Sequence, residues 1–226
     1  MVAHLTLYED ILSSDAGALL PAAPRMLFAV HGRLLIGEQR LGDSDTWHGE
    51  AAIALKGGEG TGAMVWRFEL TDGSPANVLA GEGVRSSVRL SAPLWALPEG
   101  ELLLRGDSVA FPPGGCAFTH VHQGPGIRCL IEGGIRIDTQ GRSTAYGPGG
   151  AWFESGPEPV FAQAAADRSS RFIRVMILPR ALLGKSSIRY VDAADKDKPR
   201  SQSYKIFVDA PIEFPSRGIT KSTDRP

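Results

Sequence analysis

Between Phe111 and Gly134 the chain reads FPPGGCAFTHVHQGPGIRCLIEGG, and this stretch decides the fold. Apolar, β-branched and aromatic residues lie on both sides of the turn Gly124-Pro125-Gly126, so it reads as two short strands rather than a helix. His120 and His122 sit two residues apart on the first strand. Side chains at that spacing leave the same face, so both imidazoles point one way, which is the arrangement of a metal chelate. Imidazole suits Zn, Fe, Ni and Cu, and two of them converge on an ion only if the strand lines a hollow such as a barrel mouth. Strand parity carried to Arg128 points its guanidinium into the same hollow, provided the Gly-Pro-Gly turn adds no bulge. An internal guanidinium needs an anionic partner. A substrate carboxylate or enolate would serve, and so would Glu132 or Glu154 of the scaffold.

The same grammar continues in both directions. Strands are expected over Met26–Ile36, Gly62–Leu70, Ser87–Leu90, Glu101–Leu104, Ile127–Ile131, Gly134–Asp138, Arg171–Leu178, Ile188–Val191 and Tyr204–Val208. Helical stripes are cut by Gly or Pro before they reach three turns, and 27 Gly and 16 Pro imply many tight turns. Arg105-Gly106-Asp107 reads as a turn before a strand at 108–111, and Gly57-Gly58-Glu59-Gly60 as a hairpin. Asp192–Ser203 (DAADKDKPRSQS) reads as an exposed loop, and the residues from Pro215 onward as a frayed tail. An internal repeat runs through the chain. LFAVHGRLLI at 27–36, then Trp47, then MVWRFEL at 64–70 parallels CLIEGGIRI at 129–137, then Trp152, then FIRVMIL at 172–178. Two related β units follow from it.

Composition narrows the partners. The 226 residues carry 24 Lys+Arg against 25 Asp+Glu, which lacks the basic excess a nucleic-acid duplex demands, so no nucleic acid is expected. The first thirty residues hold Glu9, Asp10 and Asp15 instead of a basic start and an apolar core, and no apolar run approaches about 18 residues. A cytoplasmic chain without a membrane partner is expected. Cys116 and Cys129 are too few for a disulfide scaffold and read as small core residues. No phosphate-cradling loop and no nucleophile elbow occurs.

The central stretch resembles the first motif of the cupin superfamily, in which Gly, five residues, His-x-His, a spacer, Glu, six residues and Gly follow in order. Gly114 with Gly115, His120, His122 and Gly133 or Gly134 fall into place, whereas Gly126 stands where the acidic ligand would be. The second motif is approached by YGPGGAWFESGPEPV at 146–160, with Val160 at its histidine position. The resemblance implies an all-β chain of two small antiparallel cupin-type (jelly-roll-like) barrels. Residues 1–84 would form a degenerate N-terminal unit, 85–192 the barrel with His-x-His, and 193–226 a polar loop, an added strand and the tail.

It also implies a divalent metal (Fe, Zn, Ni or Mn) on His120 and His122, with Glu154 or Gln163 as a further oxygen ligand. Glu154 reads equally as a solvated strand end. Arg128 and Trp152 are the candidate contacts to a small anionic organic ligand, and Trp152 reads equally as core. His4, His31 and His48 lack comparable spacing and read as scaffold. Two functions follow: an oxygenase, decarboxylase or isomerase using the metal, or a non-catalytic protein that binds an anion or sugar. A homodimer is the expected assembly.

Overall fold

The computed structural model describes residues 2–73 and 77–214. Nine strands come first: β1 (His4–Leu12), β2 (Gly17–Leu20), β3 (Arg25–Gly32), β4 (Leu34–Ile36), β5 (Gln39–Leu41), β6 (Thr46–Gly49), β7 (Ile53–Gly57), β8 (Ala63–Thr71) and β9 (Val84–Pro93). They pair antiparallel in two sheets, ordered β6-β3-β8-β1-β9 and β2-β7-β4-β5. Ten more follow: β10 (Leu102–Phe111), β11 (Cys116–His122), β12 (Gly126–Glu132), β13 (Ile135–Thr139), β14 (Arg142–Tyr146), β15 (Ala151–Glu154), β16 (Val160–Ala164), β17 (Ser170–Pro179), β18 (Ile188–Tyr190) and β19 (Ser203–Ile212). Their sheets are ordered β15-β12-β17-β10-β19 and β14-β13-β16-β11-β18. The two large sheets share one strand plan, with β3, β8 and β1 in the places of β12, β17 and β10, so the internal repeat is a repeat of topology. No described helix is long and apolar enough to cross a membrane.

Alternation divides the core into three. On β17, Ile173, Val175 and Ile177 join Leu5, Leu7, Met26, Phe28 and Phe68 in a layer between the two large sheets, so the barrels pack face to face. Phe172 on the opposite face joins Val109, Leu130, Ile137, Trp152 and Val160 inside the second barrel. Leu12, Leu27, Leu34, Leu55 and Val65 fill the first. The first interior also holds charge. Arg25 bonds Glu69 (2.8 Å), and Arg67 bonds Asp10 (2.7 Å) and Glu69 (3.2 Å) with its guanidinium 3.8 Å from the Tyr8 ring centre. These charges neutralise one another, which is what permits their complete burial.

Four local expectations are corrected. Arg105-Gly106-Asp107 lies inside β10 rather than in a turn. Gly106 faces the layer between barrels, where a Cβ would stand 2.1 Å from Met26 Sδ, and its charged neighbours point inward to Asp209 and Arg174. Met26–Ile36 is broken into β3 and β4 by Gly32, whose φ of +89° and closeness to the Gly62 carbonyl exclude a side chain. Gly57–Gly60 joins β7 to β8 across two sheets, so it is not a hairpin. Within Asp192–Ser203 a 3-10 turn over Ala193–Asp197 is capped by the Asp192 side chain, and Asp195 is buried against Lys198. The expected tail lies outside the described residues.

Candidate functional site

β11 lies in the smaller sheet of the second barrel between β16 and β18, with His120 opposite Val160 and Tyr190 and His122 opposite Ile188. Alternation turns both imidazoles into the barrel, where they are 5% and 4% exposed. The His120 Nδ1–H donates to the Phe118 carbonyl at 2.7 Å, because a carbonyl can only accept, and this leaves Nε2 with its lone pair. The Nε2 atoms of His120 and His122 stand 3.2 Å apart, with the rings at 86°. Burial holds both rings below the ordinary histidine range, His122 well below, and the Arg128 and Arg174 charges push the same way. Both are therefore neutral at pH 7. Ser187 Oγ lies 3.5 Å from the outer nitrogen of His122, Nδ1.

β12 and β15 supply the groups opposite. Arg128 is 1% exposed, and one of its terminal nitrogens donates to the Gly126 carbonyl at 2.7 Å. The other lies 2.7 Å from Glu154 Oε2, but off the N–H direction, so neither of these two buried atoms has an aligned hydrogen-bond partner. Burial pulls the Arg128 guanidinium down to about 10, with Glu154 opposing, so it stays charged at pH 7. Glu154 Oε2 is also 3.5 Å from His122 Nε2, and Glu154 Oε1 accepts from the Trp152 indole at 2.8 Å. The structure thus brings His120, His122, Arg128, Trp152 and Glu154 around one cavity of about 20 Å³, room for one water-sized occupant. Gln163 is not brought there. On β16 the inward positions are Val160, Ala162 and Ala164, so Gln163 faces out and donates to the carbonyls of Gly114 and Gly115.

Two charged lining groups escaped the sequence reading. Arg174 on β17 forms a two-pronged bond to Asp107 on β10, at 2.9 and 2.6 Å, with both side chains buried. The signal was present as a lone arginine inside the apolar run FIRVMIL, which marks an inward charge that must have a partner. Tyr204 of β19 completes this side of the cavity.

Two imidazole lone pairs and a carboxylate oxygen are donors for a divalent cation, and Arg128 is a donor for an anion. Donor atoms about 2.1 Å from a shared ion lie about 3.0–3.4 Å from one another, which the 3.2 Å and 3.5 Å separations approach. Glu154 Oε2, buried and without an aligned donor, has the free valence such an ion uses. Among the described residues no three His, Cys, Asp or Glu side chains are already gathered into an ion-holding group, because Glu154 is drawn toward Arg128. The residues fit a cation once that carboxylate turns to the histidines.

No family model and no curated protein matches the chain. Solved structures do. Lactobacillus farciminis oxalate decarboxylase in its formate complex superposes with a TM-score of 0.61 at 12% identity, over 86% of this chain and 82% of that one. A point variant of Bacillus subtilis oxalate decarboxylase gives 0.59 at 13%, over 88% and 81%. A structure concerned with the Mn(II) centres of the Bacillus subtilis enzyme gives 0.57 at 11%, over 88% and 81%. At such identities the likeness is one of fold. This chain has the cupin-superfamily fold, as two all-β barrels.

Proposed function

We propose that the second barrel holds one divalent cation (Fe, Zn, Ni or Mn) on His120, His122 and Glu154, and binds a small anionic organic molecule beside it through Arg128. The supporting observation is the 3.2 Å approach of two neutral imidazole Nε2 atoms next to a buried carboxylate oxygen that lacks an aligned donor. When bound, the cation supplies Lewis acidity toward an oxygen of the anion. The chain's own groups do the rest. The Phe118 carbonyl fixes the His120 tautomer, Ser187 stands ready to accept a proton carried on His122 Nδ1, and the Trp152 indole orients Glu154. Arg128 orients the anion, and the apolar wall of Val109, Phe111 and Phe172 keeps bulk water out. The Mn(II) centres and the formate complex belong to the two oxalate decarboxylases and support the reading by analogy of fold alone.

A second reading, binding without turnover, is favoured by Val160 and Gly126 standing where the two cupin motifs carry ligands. A Cβ on Gly126 would lie 2.5 Å from the Val175 carbonyl, so that ligand position is closed by packing. We also infer a cytoplasmic homodimer, which suits two free cysteines. Light scattering on the tag-free chain returns twice the chain mass if that is right, and the single chain mass if it is not.

Elemental analysis of tag-free protein loaded under metal-replete conditions tests the cation site. About one cation per chain is expected, lost in the His120→Ala/His122→Ala variant. No bound cation, or equal retention by the double variant, overturns it.

A further inference from the structure

Resting on that reading, we propose that the second barrel takes up its cation and its anion as a coupled pair, with the Arg128–Glu154 contact as the coupling element. The buried charges around the cavity are Arg128, Arg174, Asp107 and Glu154, and they balance. Asp107 is committed to Arg174 by two short bonds and is not available to anything else. Glu154 is then the one carboxylate that a cation can recruit, and it is also the partner of Arg128. Turning Glu154 toward the histidines leaves Arg128 with the Gly126 carbonyl as its printed acceptor and no compensating charge.

A dication added alone therefore leaves two uncompensated positive charges in an interior that holds about 20 Å³ of open space. Charge buried that way is strongly disfavoured. An anion entering with the cation removes both defects, since it accepts from the Arg128 nitrogen that has no aligned partner and offsets the new charge. The cavity size selects a small oxyanion, of the order of a short monocarboxylate. Because coupling between two binding sites is reciprocal, each ligand tightens the other by the same factor.

The test is calorimetric titration of the chelator-stripped full chain with Mn²⁺, with formate present or replaced by chloride at equal ionic strength, together with the converse titration of formate. Formate, the smallest carboxylate, should tighten Mn²⁺ binding about tenfold or more, and Mn²⁺ should tighten formate binding by the same factor. In Arg128→Gln the effect of formate should fall to within about twofold, while Mn²⁺ alone binds more tightly because Glu154 is released. The wild-type reciprocity stands as a test even if that variant fails to fold. Mn²⁺ affinity that is equal with and without formate overturns the coupling and leaves the cation site standing. No Mn²⁺ binding under either condition overturns both.

Discussion

The indole Nε1–H of Trp152 donates to Glu154 Oε1 at 2.8 Å, two residues along the same face of β15. Trp152 is itself held, with Tyr146 stacked on it at 4.9 Å and Phe172 edge-on at 5.2 Å. The carboxylate that reaches His122 is thus aimed by a wall of aromatic rings. Trp152→Phe keeps most of the packing and removes the donor. Outer groups of this kind typically govern ten- to hundredfold of metal affinity, so cation binding should weaken about tenfold or more, at a stability cost of about 1 kcal/mol for the lost hydrogen bond. Titration calorimetry beside a thermal melt separates the two, and unchanged affinity would remove Trp152 from the site.

Asp107 and Arg174 should behave as one unit. Asp107→Ala strands a buried guanidinium, and breaking such a pair costs about 3–5 kcal/mol. Replacing both partners, as in Asp107→Leu/Arg174→Met, should recover most of that loss. Urea unfolding reads both values, and a loss below about 1 kcal/mol in Asp107→Ala would mean the pair is not the closed bond described here.

The histidine pair sets a pH dependence for the metal-free chain. Both imidazoles are held below the ordinary 6.5 by burial and by the two arginines, so at pH values between the folded and unfolded pKa the unfolded state binds more protons. Stability is then fully present above about 6.5 and is lost as pH falls through the depressed folded values. The denaturation midpoint of wild type should drop between about pH 6.5 and 5, and in His120→Gln/His122→Gln the drop should flatten. Parallel pH curves for the two proteins would contradict the buried, neutral state of the rings.

Val160 sits directly opposite His120 in the β16–β11 register and faces the cavity. A histidine there adds a third imidazole to the pair. Val160→His should therefore tighten cation binding about tenfold or more, since each added ligand of matching chemistry raises affinity for the same ion. Equal affinity in a folded variant would show that the ion does not sit where the two rings meet.

The fold was legible wherever the strand pattern was local. FIRVMIL and MVWRFEL, with Gly and Asp clusters between runs, are strands in the structure as expected, and the repeated order of strands is the shared plan of the two large sheets. β1 (HLTLYEDIL) was not anticipated, because Glu9 and Asp10 interrupt its apolar pattern and only Arg67, fifty-seven residues away, explains why Asp10 is inside. Arg105-Gly106-Asp107 misled for the same reason, since its charges are satisfied by Asp209 and Arg174 from other strands. In the site, parity along β11 and β12 sufficed for His120, His122 and Arg128, which all face the cavity. Gln163 could not be placed that way, as its facing depends on the register of β16 against β11, which no spacing in the sequence fixes.

Anomalous diffraction from crystals of the tag-free protein soaked in Mn²⁺ tests the central claim most directly. The account predicts one strong peak in the second barrel within bonding reach of His120 Nε2 and His122 Nε2, with Glu154 turned toward it. A map with no peak between the two rings, or with Glu154 still closed on Arg128 at full soak, contradicts it.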